Sequence, residues 1–479
     1  MTFESLGIAA PVLRAIHDLG YTIPTPIQND TIPAGIDGRD ILGCAQTGTG
    51  KTAAFAVPIL HRLAERRVDR EPSQPRRSSG AAVSIRALIL APTRELAAQI
   101  GDCFNRYGKH SRLRTTVIFG GVNQNPQTRE LQRGVDIVVA TPGRLLDLAS
   151  QGYVDLRHVE SLVLDEADHM LDMGFLPDVR RIIAKLPTRR QTLMFSATMP
   201  VEILSLAKQI LNDPLRIQIN PERPAAETVE QSIYHVAQKN KPNLLAHLLR
   251  SRSDGSTIVF TRTKHGANAV VRKLESMGIT AEAIHGNKSQ SARQRALDAF
   301  KSGELKVLIA TDIAARGIDV SGIGHVINFD LPQVAETYVH RIGRTGRAGR
   351  SGIATSFCGP HEPELLTAIE RILRKRIPVG RNQPSATVLN EADRAEGLEP
   401  REAKGLRRGG APKNSRSAGD STKLAGKSHA RSKPEHMRAK KAKVPTKQSL
   451  VESVLIRKGR AKPKPKASHF NDPSPLLQP

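Results

Sequence analysis

The chain contains no tryptophan, five tyrosines, eleven phenylalanines and three cysteines among 479 residues. Aromatics at 3% do not favour recognition of nucleic-acid bases by stacking. Cys44, Cys103 and Cys358 stand far apart, so no pair has zinc-ligand or redox spacing, and a disulfide framework is not supported. That usage fits plain thiols in a reducing compartment. No stretch approaches the roughly 20 apolar residues that a membrane span requires. The opening MTFESLGIAAPVLRAIHDLG has no basic region followed by an apolar run of signal-peptide length. These absences lead to the expectation of a soluble, cytoplasmic protein. Acids are also scarce, 46 against 72 Lys and Arg, which leaves a net charge of +26. A polyanionic partner is expected, nucleic acid first.

The length suits two or three domains. Charge is spread unevenly: residues 1–380 carry +12 and residues 381–479 carry +14. The last stretch has one aromatic, Phe470, and runs such as KKAKVPTK and AKPKPK. It has too little apolar surface to offset the entropy of ordering, so 379–479 is expected to be a disordered basic tail. RRVDREPSQPRRSSG (66–80) reads as an exposed loop.

Between these segments, short β-branched and Leu-rich runs alternate with helical patterns. The runs are ALIL (87–90), DIVVA (136–140), SLVL (161–164), TLMF (192–195), TIVF (257–260), KVLIA (306–310) and HVINF (325–329). This alternation predicts α/β architecture, with parallel sheets covered by helices and ligands at the carboxyl ends of strands. Part of the order appears twice. Leu90 precedes APTRELA and Phe260 precedes TRTK; fifty residues later in each case, Ala140 precedes TPGR and Ala310 precedes TDIAARG. Two similar sheets in tandem are expected, 1–219 and 229–378, with the Pro-rich NPERPAAET (220–228) as the hinge.

AQTGTGKT (45–52) follows the run DILGC and precedes a helical pattern. It matches the phosphate-binding G-x-x-x-x-G-K-[ST] pattern with Ala45 at the first position. Ala45, Gln46, Thr47, Gly48, Thr49 and Gly50 would wrap phosphate oxygens with backbone N–H groups, helped by the helix N-terminus. Lys51 would reach the β- and γ-phosphates, and Thr52 would offer its hydroxyl to Mg²⁺. SLVLDEADHML (161–171) then explains itself: acids at the end of a buried strand need a cation, and Asp165 is placed to hold Mg²⁺. Glu166 is placed to orient or deprotonate the attacking water. These two motifs alone leave GTPase, transporter ATPase and helicase open.

Three further stretches narrow the class: GYTIPTPIQ (20–28), SAT (196–198) and HRIGRTGRAGR (340–350). Together with Asp165-Glu166-Ala167-Asp168, the chain over residues 1–378 closely resembles the DEAD-box ATP-dependent RNA helicases. IHGNKSQ (284–290) and the short N-terminus look most like the bacterial RhlE subgroup. The resemblance implies two RecA-like domains, with the Q motif at 1–29, and ATP and Mg²⁺ as cofactors. It implies that Gln28 reads adenine, with Tyr21 stacked on the ring and Phe3 bracing the motif. Ser196 and Thr198 would couple the ATP site to strand separation, and Asp319 would hold the ribose. Arg344 and Arg347 match arginine fingers supplied by the opposite domain.

RNA contacts are implied at Pro92, Thr93, Arg94, Gly120, Gly121, Thr141, Pro142, Gly143 and Arg144 in the first half. In the second they are implied at Arg262, Gln290, Arg293 and Thr311. Such residues suit phosphate and sugar and carry no sequence information, so single strands and short duplexes of RNA would be gripped regardless of sequence. Ribosomal and mRNA-decay ribonucleoproteins are candidate assemblies. Two alternatives stand beside the helicase. An ATP-gated RNA clamp or annealing factor would work mainly through binding by the tail. A transporter ATPase would need a signature such as LSGGQ, which the chain lacks.

Overall fold

The computed structural model describes residues 2–45, 48–68, 84–219, 229–251, 255–315, 323–346 and 352–380. The expected hinge, and the expected tail beyond residue 380, lie outside these residues.

Two all-parallel sheets organise the chain. The first contains β1 (Ile41–Cys44), β2 (Ala87–Leu90), β3 (Thr115–Ile118), β4 (Ile137–Ala140), β5 (Ser161–Leu164), β6 (Gln191–Ser196) and β7 (Leu215–Gln218). Its spatial order is β3-β4-β2-β5-β6-β1-β7. The second contains β8 (Val229–His235), β9 (Ser256–Phe260), β10 (Glu282–Ile284), β11 (Val307–Ala310), β12 (Ile323–Asn328) and β13 (Gly352–Cys358). Its order is β10-β11-β9-β12-β13-β8. Strand for strand this repeats the first six positions of the first sheet. Ala87–Leu90 and Ser256–Phe260 occupy equivalent places, as do Ile137–Ala140 and Val307–Ala310. The two turn pairs matched in the sequence are thus structurally equivalent.

Helices cover both faces of each sheet, so successive strand residues enter different cores. Leu88, Leu90, Leu162 and Leu164 pack in one core and Ile89 and Val163 in the other, all fully buried. That is why these runs are continuously apolar rather than alternating. Helix starts are set locally. The Thr93 side chain caps Arg94–Tyr107 by accepting from Leu96 N, and Ser289 caps Gln290–Ser302 by accepting from Ala292 N.

Close packing at β1 depends on Gly43. A Cβ there would fall 2.5 Å from Phe195 Cδ1, and the fully buried Phe195 ring already packs on Phe55 with centroids 5.5 Å apart. Gly43→Ala should therefore destabilise the fold by about 1–3 kcal/mol, the usual cost of overpacking a core. Denaturant unfolding should show a lower midpoint at unchanged slope.

Two boundaries move. The helix Lys51–Val68 runs into the stretch read as a loop from Arg66, because HRLAERRV holds good helix formers through Arg67. The second lobe also continues past residue 378. Ile233 N donates to Pro378 O and Gly380 N donates to Ile233 O, so Val379 and Gly380 extend the β8 edge.

Candidate active site and nucleic-acid interface

Beyond Cys44, at the end of β1, the chain turns into the helix that starts at Lys51. Gly48 and Gly50 take φ of +92° and +93°, the left-handed region that glycine enters without strain. Gly50 is constrained twice, since a Cβ would lie 2.5 Å from Gln28 Nε2. Lys51 is buried, and its Nζ donates to the Ala45 carbonyl at 2.8 Å, which draws the ammonium back across the loop. Thr52 follows, half-buried, at the head of the helix. Gln46 and Thr47 lie outside the described residues.

Gln28 ties the Q motif to this loop. Its Oε1 accepts from Thr25 N at 2.9 Å in a capping box, and its Nε2 donates to Gly50 O at 3.2 Å. One hydrogen and one lone pair of the carboxamide remain for a ligand. Tyr21 is exposed, and its ring lies 6.4 Å from Tyr107. Phe3 is buried in the core beneath the motif, so it supports the motif rather than lining the site.

The acids follow β5. Asp165 N continues the ladder by donating to Leu90 O, and Asp165 Oδ1 accepts from Glu166 N at 3.0 Å. Glu166 adopts φ 52°, ψ 53°, a left-handed conformation uncommon for a residue with a Cβ and frequent where function constrains the backbone. Asp165, Glu166 and Asp168 are all buried. Burial pushes the Asp165 carboxyl well up; Lys51 opposes this, while Glu166 and Asp168 add to it. A buried carboxylate relieved chiefly by one ammonium fits a position that a divalent cation completes. Glu166 behaves oppositely. Burial pushes it up, but the hydrogen bond and charge of His169, together with Lys51 and Arg344, outweigh burial and hold it down. It is therefore ionised at neutral pH and suited to orienting a water.

Ser196 and Thr198 meet the last acid of the box. Asp168 N donates to Ser196 Oγ at 3.1 Å, and Thr198 N and Oγ1 both donate to Asp168 Oδ2 at 2.9 Å. This triple contact joins β6 to the helix Ala167–Asp172.

The second lobe brings Arg344, buried, in the turn after the helix Ala335–Ile342. Its backbone N–H donates to Arg341 O. Arg341 is itself fixed: Nε and Nη2 pair with the two Asp312 oxygens at 2.6 and 2.8 Å, and the guanidinium lies 5.0 Å from the Phe260 ring centroid. The sequence reading passed over Arg341 and Asp312; they set the turn that aims Arg344. Arg347 and Asp319 lie outside the described residues.

The implied RNA residues gather at strand carboxyl ends, as the parallel-sheet rule requires. Pro92, Thr93, Thr141 and Pro142 are buried, and the Thr93 hydroxyl is used in its helix cap. Arg94 lies over Gly121. It meets Gln290 of the second lobe, Nη1 to Oε1 at 3.4 Å. Glu95 accepts from Gln290 Nε2 and Arg293 Nη2, each at 2.8 Å. Arg144 Nη2 donates to Val122 O, while Gly143 faces open space. Arg144 Nη1 and Arg293 Nε are buried donors with no hydrogen-bond partner among the described residues. Arg262 is drawn away, pairing with Glu362 and Leu331 O. Thr311 starts the turn before Asp312–Ala315, with its carbonyl accepting from Ala314 and Ala315 N. Glu95 and Glu362 were missed because carboxylates gave no reason to be sought on an anion-binding surface.

Two family profiles match this arrangement. The DEAD/DEAH box helicase profile covers residues 25–206, and the helicase conserved C-terminal domain covers 240–349. The DEAD-box ATP-dependent RNA helicase CshA of Bacillus cereus is 42% identical over 391 residues, 82% of this chain and 71% of that protein. The Bacillus subtilis protein of the same name is 40% identical over 377 residues, 79% and 73% of the two chains.

The chain belongs to the DEAD-box helicase family.

Solved structures agree with this membership. Saccharomyces cerevisiae Dbp5 bound to RNA and ADP BeF3 is 31% identical at a TM-score of 0.68, over 82% of this chain and 97% of that one. Mss116p bound to ssRNA and AMP-PNP is 28% identical at 0.72, over 84% and 83%. One further contact in this DEAD-box chain lies beside the acids. His169, the residue after the box, places Nδ1 2.8 Å from Glu166 Oε2.

Proposed function

We propose that this DEAD-box protein is an RNA-dependent ATPase that couples ATP hydrolysis to local separation of short RNA duplexes or remodelling of ribonucleoprotein. The supporting observation is Arg344. It is carried by the second lobe, buried in the turn after the helix whose His340 ring meets His169, beside Glu166, with centroids 5.4 Å apart. ATP with Mg²⁺, when bound, supplies a phosphoanhydride and a Lewis acid on its terminal phosphates. Lys51 and the backbone around Gly48 to Gly50 would neutralise phosphate charge, and Asp165 and Thr52 would hold the metal. Glu166 orients the water, and Arg344 with Arg347 meets charge developing at the terminal phosphoryl group. Gln28 and Tyr21 face the base, Phe3 supports them from the core, and Asp319 takes the ribose. Asp168, Ser196 and Thr198 carry closure from one site to the other.

RNA is gripped along its backbone from both lobes, at Arg94, Gly121, Gly143, Arg144, Gln290 and Arg293, with Arg262 and Thr311 beside them. ATP hydrolysis measured with RNA, DNA or neither tests the function. Marked stimulation by RNA is the expected result; equal rates in all three would defeat it. Release of a short RNA duplex by the full chain, and by a chain ending at residue 380, separates a helicase from a tail-driven clamp.

The grip carries its own prediction. A Cβ on Gly121 would fall 1.9 Å from Arg94 Nη1, at a φ of +76°. Gly121→Ala should displace Arg94 and weaken RNA binding roughly 10-fold to 100-fold, the worth of a charge-assisted hydrogen bond. The KM for ATP at saturating RNA should hardly move. Fluorescence titration with labelled oligo-U checks the first and steady-state kinetics the second.

Domain limits of 1–219 and 229–378 (here extended to 380), with 220–228 as the hinge, belong to the same proposal. So does a cytoplasmic setting, supported by the three free cysteines and by the lack of any helix long and apolar enough to cross a membrane among the described residues. The RhlE subgroup is the finer assignment, supported by IHGNKSQ (284–290); the relatives reported above carry the CshA name.

A further inference from the structure

Glu166 stands out among the site residues because its backbone is in a left-handed conformation and its carboxylate is enclosed. A side chain in that setting needs something to fix its direction. The helix Ala167–Asp172 begins one residue later and puts His169 three positions on, over Glu166. The two side chains are 4% and 5% exposed and sit 2.8 Å apart, Nδ1 to Oε2. Backbone contacts fix the histidine in turn: His169 N donates to Asp168 Oδ1, and Met173 N donates to His169 O. Asp168 is the acid locked by Ser196 and Thr198. His169 thus rests on the same acid that links the box to SAT.

The far side of the ring is also informative. His169 Nε2 is buried without a hydrogen-bond partner. The ring meets His340 of the second lobe, with centroids 5.4 Å apart and planes 76° apart. His340 belongs to the helix that ends just before Arg344. The element that delivers Arg344 therefore also touches the residue holding Glu166.

We propose that His169 is a positioning residue for hydrolysis: it fixes the Glu166 carboxylate from within the first lobe and seats against His340 of the second, so that Glu166 is fully braced when the lobes meet. The proposal rests on the assignment of Glu166 to the hydrolytic water. With Nδ1–H donated to Oε2, that oxygen is occupied and the other is left to orient the water. Without the donor, the carboxylate can rotate, and its productive orientation becomes one among several.

Two substitutions in the full chain separate the donor from the ring. His169→Phe keeps a ring edge for His340 and removes the N–H. His169→Asn keeps an N–H donor near the position of Nδ1 and removes the ring. RNA-stimulated ATPase is measured with oligo-U over a range of ATP. His169→Phe should lower kcat roughly 10-fold to 100-fold, the value of one hydrogen bond to a charged group, with KM for ATP and half-saturating RNA within about threefold of the parent. His169→Asn should recover kcat to within about threefold. A packing role alone predicts the reverse order and a lowered Tm.

A phenylalanine variant within about twofold of the parent overturns the proposal. So does an asparagine variant as slow as His169→Phe while melting like the parent. If His169→Phe does not fold, His169→Asn decides: parental kcat supports the donor role, and a lost kcat at parental Tm refutes it. Glu166→Gln and the parent run alongside. Stimulation by RNA in the parent and loss in Glu166→Gln keep the hydrolytic assignment, whatever His169 does.

Discussion

Arg344→Ala should lower RNA-stimulated ATP turnover by about 10³-fold or more, the scale of an arginine finger, or about 4–7 kcal/mol of barrier over the full range. The guanidinium is nearly free of solvent, so its charge is little screened. The turn that carries it is held firmly, because Arg341 is pinned by Asp312, Asn328 and Asp330 O and accepts from Arg344 N. A lysine replacement should restore little, since a point charge cannot reproduce a planar fork. Binding of an ATP analogue to the open protein should persist, as most phosphate contacts come from the first lobe. Single-turnover hydrolysis with and without RNA measures the effect. Full RNA stimulation in Arg344→Ala would remove the second lobe from the chemistry.

Much of this arrangement was legible in the residues, and what escaped has physical causes. All seven apolar runs became strands because interior parallel strands are buried on both faces and show it as unbroken hydrophobicity. The strands not picked out are mostly edges or mixed. Thr115–Ile118 and Leu215–Gln218 are partly exposed, and Glu282–Ile284 is only three residues long. Gly352–Cys358 is buried but contains Gly, Ala, Thr and Ser, whose small side chains do not register as an apolar run. The phosphate loop and the acids were readable because short-range spacing alone dictates their geometry. Contacts between elements distant in sequence were not. Glu95 reaches Gln290 and Arg293, nearly two hundred residues on, only once both lobes have folded and met. Arg262 looked free for RNA until Glu362, one hundred residues on, folded beside it. His169 had no role in the sequence argument; its i, i+3 relation to Glu166 needed a helix to start at Ala167.

Glu166→Gln should reduce kcat by about 10²–10⁴, within the range that a positioned acid–base group supplies, and leave ATP and RNA binding intact. The amide keeps the volume of the carboxyl, and its oxygen can still accept from His169, so packing around the strained backbone is preserved. What disappears is the negative charge. Burial works against that charge, and His169, Lys51 and Arg344 maintain it, so the site retains an ion at some cost in desolvation. An ion kept this way is useful where water must be polarised at one point. Removing it also eases repulsion with Asp165 and with phosphate oxygens, so the variant should bind ATP at least as tightly as the parent. It should then stay closed on RNA for longer, because reopening follows hydrolysis. Lys51→Ala provides the contrast: it also stops turnover, but through weakened nucleotide binding, and no long-lived RNA complex should form. RNA dissociation rates in the presence of ATP distinguish the two. If Glu166→Gln released RNA as fast as Lys51→Ala, hydrolysis would not be the step that opens the lobes.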